Sequence, residues 1–213
     1  MKLFWIAGEP SGDVQAAKVV QAIAERVPDA AQYGWGGPQM QQAGMTVLKD
    51  TVSAPFMGFV EVVRKASTIR AWFAQVKQEI LDVNPDVLVL VDYPGFNLRI
   101  AKWAKGAGFK VAYYIPPKVW AWKSKRAAVL NATCDRILSI LPFESEWYAA
   151  RGMEVVYVGN PLAHSYAGRS AYAAESKTIA LLPGSRKQEI GRLMPEFLKV
   201  AAAMPEWKFR VVR

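Results

Sequence analysis

Apolar residues along this chain fall into short unbroken runs, and the stretches between them carry apolar residues at helical spacing. The clearest run is VLVLV (87–91), followed at once by Asp92. Five apolar residues without a polar break suit a central parallel strand buried on both faces, with its first polar residue at the carboxyl end. Pro94 and Gly95 then break the strand, and LRIAKWAKGAG (98–108) predicts a helix ending at Gly106 or Gly108. Carboxyl ends of strands line the ligand crevice in open α/β sheets, so Asp92 is expected to project into one from a rigid element.

The same alternation recurs along the chain. LFWIA (3–7) leads through GEPSGD into the helical pattern VQAAKVVQAIAERV. A second strand, a Gly-rich turn and a short helix are read at AQYGWGGPQMQQAGMTVL (31–48), and Trp72, Phe73, Val76, Ile80 and Leu81 repeat at helix spacing. KVAYYI (110–115) makes another strand, CDRILSILPFESEWYAARG (134–152) a strand, a Pro break and a helix, and VVYVGNP (155–161) one more strand. Strands alternating with helices throughout predict a doubly wound parallel sheet. Residues 163–176 are small and polar and read as a linker. TIALLPGSRKQEIGRLMPEFLKVAAAM and WKFRVVR then open a second strand–turn–helix–strand unit. The expected organisation is a first domain over 1–162, a linker over 163–176 and the incomplete start of a second domain over 177–213, because two strands bury no core alone.

Composition narrows the function. About half of the 213 residues are apolar, enough for a buried core, yet no run approaches the length of a membrane span. The opening MKLFWIAGEPSGD has too short an apolar run for a signal-peptide core. Cys134 is the single cysteine, which excludes a disulfide within the chain and fits a reducing cytosol. His164 is the single histidine, so His-rich metal sites and a Ser–His triad with a spare imidazole are excluded. Carboxylate chemistry is the better expectation. The net charge of +9 points to an anionic partner (nucleic acid, an anionic membrane face or a phosphorylated substrate) or to a basic surface with no role of its own. No zinc finger, RRM core or basic zipper is present.

Candidate chemistry gathers in a few loops. Glu9 sits on the loop after the first strand, at the same edge of the sheet as Asp92. Ser11 and Asp13 are natural N-cap residues for the helix that follows, with the amides near Gly12 facing any ligand. That loop is neither a Walker A loop nor GxGxxG. Phe56, Met57, Phe59, Val60, Val62 and Val63, followed by Arg64, Lys65 and Arg70, read either as core or as an apolar lip for acyl chains or a membrane interface. PPKVWAWKSKR (116–126) holds two tryptophans among four cations, either structural or suited to stacking and phosphate. Pro183, Gly184 and Ser185, with Arg186 beside them, make a turn ahead of a helix that fits a phosphate or pyrophosphate.

Together AGEPSGD (7–13), GGPQM (36–40), MGFVEV (57–62), DYPGFN (92–97), PPKVWAWKSKR (116–126), LPFE (141–144), VGNPL (158–162) and LLPGSR (181–186) resemble the lipid-A-disaccharide synthase family, in that family's order. The resemblance implies an α/β fold of GT-B type, two Rossmann-like domains facing each other across a cleft. It implies an inverting glycosyl transfer from UDP-2,3-diacylglucosamine to 2,3-diacylglucosamine 1-phosphate, releasing UDP. The family's base falls on Asp92, a second important carboxylate on Glu9, and an arginine offsetting diphosphate charge on Arg186. Matching motifs put substrate contacts on Ser11, Asp13, Met57, Gly58, Asn97, Trp120, Trp122, Lys123, Arg126 and Ser185. No bound metal and no cofactor are implied. The expected partners are the two acylated glucosamine substrates and an anionic membrane surface, with no nucleic acid, at the cytoplasmic face of the inner membrane; a homodimer stays open. Rival readings are a catalytically inert module that binds acyl-glucosamine phosphate, and a sugar-nucleotide epimerase, against which the apolar lip argues.

Overall fold

The apolar runs at 3–7 and 87–91 become strands with both faces covered. The computed structural model describes residues 1–52, 66–122, 124–166, 168, 177–184 and 187–212; the apolar cluster with Met57 and Gly58, and also Lys123, Ser185 and Arg186, lie outside the described residues. Strands β1 (Lys2–Ala7), β2 (Ala31–Gly36), β3 (Thr46–Asp50), β4 (Val87–Val91), β5 (Val111–Tyr114), β6 (Arg136–Ser139) and β7 (Val156–Tyr157) form one sheet in the order β3-β2-β1-β4-β5-β6-β7. Every neighbouring pair is parallel. The chain works outward from β1 in one direction and from β4 in the other, so the topological switch point lies between those two strands. Their register pairs Ala7 with Val91, which brings Gly8 and Asp92 to the same level at the carboxyl edge.

Helices α1 (Pro10–Arg26), α2 (Pro38–Gln42), α3 (Ala66–Val83), α4 (Pro94–Gly106), α5 (Lys125–Thr133), α6 (Pro142–Ala149) and α7 (Pro161–Tyr166) connect or follow these strands. Alternation along each strand assigns its side chains to two cores. Phe4, Ile6, Leu88 and Leu90 pack with Val76 and Ile80 of α3, Ile100 and Ala104 of α4 and Leu130 of α5. Leu3, Trp5, Ala7, Val89 and Val91 pack with Ala16 and Val20 of α1 and Met40 of α2. Each fully buried leucine, isoleucine or phenylalanine contributes about 1.5–3 kcal/mol relative to exposure, so both faces anchor β1 and β4.

Four elements differ from expectation. β3 and α5 are additional, and α4 starts at Pro94 instead of after Asn97. Proline is favoured at the first helical position, where its missing N–H costs nothing, so Pro94 starts the helix that Pro-Gly was read as preceding. Compact units divide the chain at Tyr166, and α7 occupies the beginning of the stretch read as a linker. In the second unit β8 (Thr178–Leu181) pairs in parallel with β9 (Lys208–Val211), and α8 (Lys187–Ala203) lies between them in sequence. Leu181 is buried there, whereas α8 buries no residue.

Candidate active site at the topological switch point

Strand β4 runs directly into a strained elbow. Asp92 and Tyr93 both take left-handed backbone conformations, with φ of 45° and 46°. Such a conformation costs a non-glycine residue about 1–2 kcal/mol and persists only where the surroundings over-determine it. Here they do. The Asp92 amide donates to the Tyr114 carbonyl at 3.0 Å. The Asp92 carbonyl accepts from Tyr113 Oη at 2.6 Å and from Asn97 Nδ2 at 2.9 Å. The Tyr93 carbonyl accepts the amides of Phe96 and Asn97 at 3.2 and 3.0 Å, which closes the first turn of α4.

The loop after β1 meets this elbow from across the switch point. Gly8 has no side chain because the Tyr93 ring occupies the space; a Cβ there would stand 2.5 Å from the ring. Glu9, partly buried, is the extended N-cap residue of α1, and Pro10 takes the first helical position. The expected capping of α1 by Ser11 and Asp13 is therefore corrected. Ser11 is exposed within the first turn of α1. Asp13, 1% exposed, turns its carboxylate to the amides of Gly37, Gln39 and Met40 at 2.9–3.1 Å and caps α2 instead. Asn97 is likewise closed off from solvent, its Nδ2 donating to the carbonyls of Val91 and Asp92.

Electrostatics at the elbow favour a strong base. Burial pushes the Asp92 carboxyl above the usual aspartate range, and the negative charge of Glu9 adds to the shift; the Tyr93 amide and the Lys118 charge pull it partly back. Burial and Glu9 also raise the Tyr93 phenol. Lys118, exposed on the loop after β5, thus joins the site, although no local pattern separates it from the other cations of PPKVWAWKSKR. A narrow apolar crevice beside the elbow is lined by Ile6, Gly8, Trp35, Thr51, Trp72, Tyr93 and Phe96.

The aromatic loop after β5 has a buried support of its own. Trp120, 38% exposed, donates its indole N–H to Glu144 Oε1 at 2.9 Å and meets Phe143 edge-on at 5.0 Å. Glu144, the carboxylate of LPFE, is buried and also hydrogen-bonded by Ser139. Trp122 is 62% exposed, with the Arg126 guanidinium over its ring. The turn at Pro183 and Gly184 precedes α8 in the second unit, while its expected ligand contacts Ser185 and Arg186 are outside the described residues. Among the described residues no group of three or more His, Cys, Asp or Glu could hold a metal ion, and no helix is long and apolar enough to cross a membrane.

The lipid-A-disaccharide synthetase family matches residues 3–211. The chain belongs to this family. Lipid-A-disaccharide synthase of Trichlorobacter lovleyi is 40% identical over 210 residues, covering 94% of this chain and 55% of that protein. Its counterpart from Myxococcus xanthus is 37% identical over 209 residues, covering 94% and 55%. This member of the synthetase family thus spans about half the length of the curated relatives it matches. Among solved structures, the S. aureus MnaA–UDP co-structure superposes with a TM-score of 0.69 at 13% identity, covering 99% of this chain and 60% of that one. The UDP-GlcNAc 2-epimerase from Neisseria meningitidis bound to UDP-GlcNAc gives 0.66 at 10% identity, covering 99% and 65%. At such identities the likeness is one of fold, and the fold is Rossmann-like α/β.

Proposed function

We propose that this chain forms the acceptor-side half of an inverting glycosyltransferase. The reaction condenses UDP-2,3-diacylglucosamine with 2,3-diacylglucosamine 1-phosphate, giving the β-1,6-linked disaccharide 1-phosphate and UDP. The observation that carries this reading is the meeting of Asp92 and Glu9 at the switch point of a chain of this family. Asp92 acts as general base. It takes the proton of the acceptor hydroxyl while that oxygen attacks the anomeric carbon from the face opposite the nucleotide, and the bond to UDP breaks with its electron pair leaving on the diphosphate. Inversion follows from the single displacement. Glu9 keeps the carboxylate of Asp92 basic, and Lys118 limits the repulsion between the two acids.

The remaining roles rest on the resemblance. The resemblance assigns Ser185 and Arg186 to the departing diphosphate, whose charge an arginine offsets. It assigns Trp120, Trp122, Lys123 and Arg126 to the acceptor phosphate and Met57 and Gly58 to its acyl chains. Ser11 lies near the sugar, while Asp13 and Asn97 shape the loops without touching the substrate. The net charge of +9 and the exposed Trp122 support peripheral attachment to an anionic cytoplasmic membrane face.

The test is to incubate the purified chain with both acylated substrates and assay disaccharide and UDP. Product would mean that the chain completes its own donor site. Bound acceptor without product would mean an acceptor half, and activity should then return when a donor domain is supplied. In that completed enzyme Asp92→Asn is expected to lower kcat about 10²–10⁴-fold with the circular dichroism spectrum unchanged. Normal turnover would remove Asp92 from the base role. A second reading is an inert module that binds acyl-glucosamine phosphate through the exposed Trp122 and the Arg126 guanidinium over its ring. It predicts saturable acceptor binding and no product under any of these conditions.

A further inference from the structure

We propose that Tyr113 is a positioning residue for Asp92, its buried hydroxyl holding the elbow from the neighbouring strand and so fixing where the carboxylate stands. The inference rests on the reading of Asp92 as the base, but its structural half can be tested separately. Two consecutive left-handed residues need an external restraint, and the Asp92 carbonyl is where it acts. That oxygen receives Tyr113 Oη at 2.6 Å and Asn97 Nδ2 at 2.9 Å, from two different elements. Tyr113 is 0% exposed and its ring is fixed in the core of β5, so the hydroxyl is delivered at a set height above the sheet. Burial, together with the nearby charge of Asp92, holds the phenol well above its ordinary range, so it remains a donor across the working pH. Asn97 Nδ2 reaches the Asp92 carbonyl from α4 and also donates to the Val91 carbonyl, whereas the Tyr113 hydroxyl reaches it from β5.

The charged and titratable groups around Asp92 are Glu9 from the β1–α1 loop, Lys118 from the β5–α5 loop, Tyr93 beside it and Tyr113 beneath it. Burial and Glu9 raise the Asp92 midpoint only while the carboxylate is held against them. Releasing the elbow lets the group turn toward water, so its midpoint must fall.

The experiment follows the Asp92 carboxyl by carbon NMR during a pH titration of this chain. Tyr113→Phe, which keeps the ring and removes the hydroxyl, is expected to lower the midpoint toward that of free aspartate. Tyr148→Phe removes a buried hydroxyl that has no hydrogen-bond partner, and it should leave the midpoint in place. An unchanged midpoint in Tyr113→Phe, or an equal fall in both variants, would overturn the proposal. If Tyr113→Phe does not fold, 3-fluorotyrosine at position 113 keeps the hydroxyl. Its fluorine resonance should then follow the titration of Asp92 and lose that step in Asp92→Asn; a resonance indifferent to Asp92 refutes the contact. In an enzyme completed with a donor domain, Tyr113→Phe should lower kcat about tenfold with KM within about twofold, and move the acid limb of the pH profile downward. Full turnover by Asp92→Asn would sink the base reading and leave the NMR result standing.

Discussion

The β4–α4 and β8–α8 junctions are written in the same local code: a short apolar strand, a proline and a glycine at the junction, and an amphipathic helix. In the first, β4 lies between β1 and β5, and Leu88 to Val91 are all buried. Its helix buries Phe96, Asn97, Leu98, Ile100, Ala101 and Ala104. In the second, β8 pairs with β9 in a two-stranded sheet, only Leu181 of the strand is buried, and α8 leaves Leu193, Leu198 and Val200 exposed. Local propensity thus forms the elements in both places, but burial comes from neighbours on either side. Backbone strain of the kind seen at Asp92 can be sustained only where such neighbours supply hydrogen bonds and packing to hold it.

Hydrogen exchange would expose the contrast most strongly. Amides of β4 are expected to open only with global unfolding and those of β8 locally, so exchange in β8 should be about 10³-fold faster or more. Equal protection would break the comparison. Core truncation comes next. Leu90→Ala should cost about 2–5 kcal/mol in a urea titration, whereas Leu198→Ala should stay within about 0.5 kcal/mol. Glu9→Gln removes a negative charge that raises the Asp92 midpoint, so the acid limb of kcat/KM should move to lower pH, and a move upward would contradict the assigned electrostatics. The smallest effect is on stability. The folded Asp92 carboxyl holds its proton more tightly than the unfolded one, so the fold is most favoured below the ordinary aspartate range and loses stability as pH rises through the raised midpoint. Asp92→Asn should therefore raise the unfolding temperature by about 1–3 °C at neutral pH, with the gain vanishing in acid.

The parts legible in the sequence are those governed by neighbours along the chain. An unbroken apolar run announces a buried strand, and its first polar residue announces the crevice, which is how Asp92 and Glu9 could be placed at one edge. β3 escaped because it is a short strand of alternating exposure, and α5 because it follows directly on a cationic loop. Asp13, Asn97, Tyr113 and Glu144 were beyond reach for another reason. Their roles are set by groups distant in sequence, such as the Asn97 amide and the Ile6 carbonyl, 91 residues apart. A polar residue in a loop motif looks the same whether it will face a ligand or a backbone carbonyl.

The burial of Cys134 has a use outside catalysis. Its thiol is pushed up to about 11, so at neutral pH almost none of it is thiolate, the form that attacks alkylating reagents. The native chain is thus a nearly silent background for maleimide chemistry, and one introduced cysteine can carry a dye without any other change. Ser124, exposed two residues beyond Trp122, offers such a place. A fluorophore there would be quenched by the adjacent indole and would brighten when a ligand covered that ring, turning the loop into an optical titration sensor.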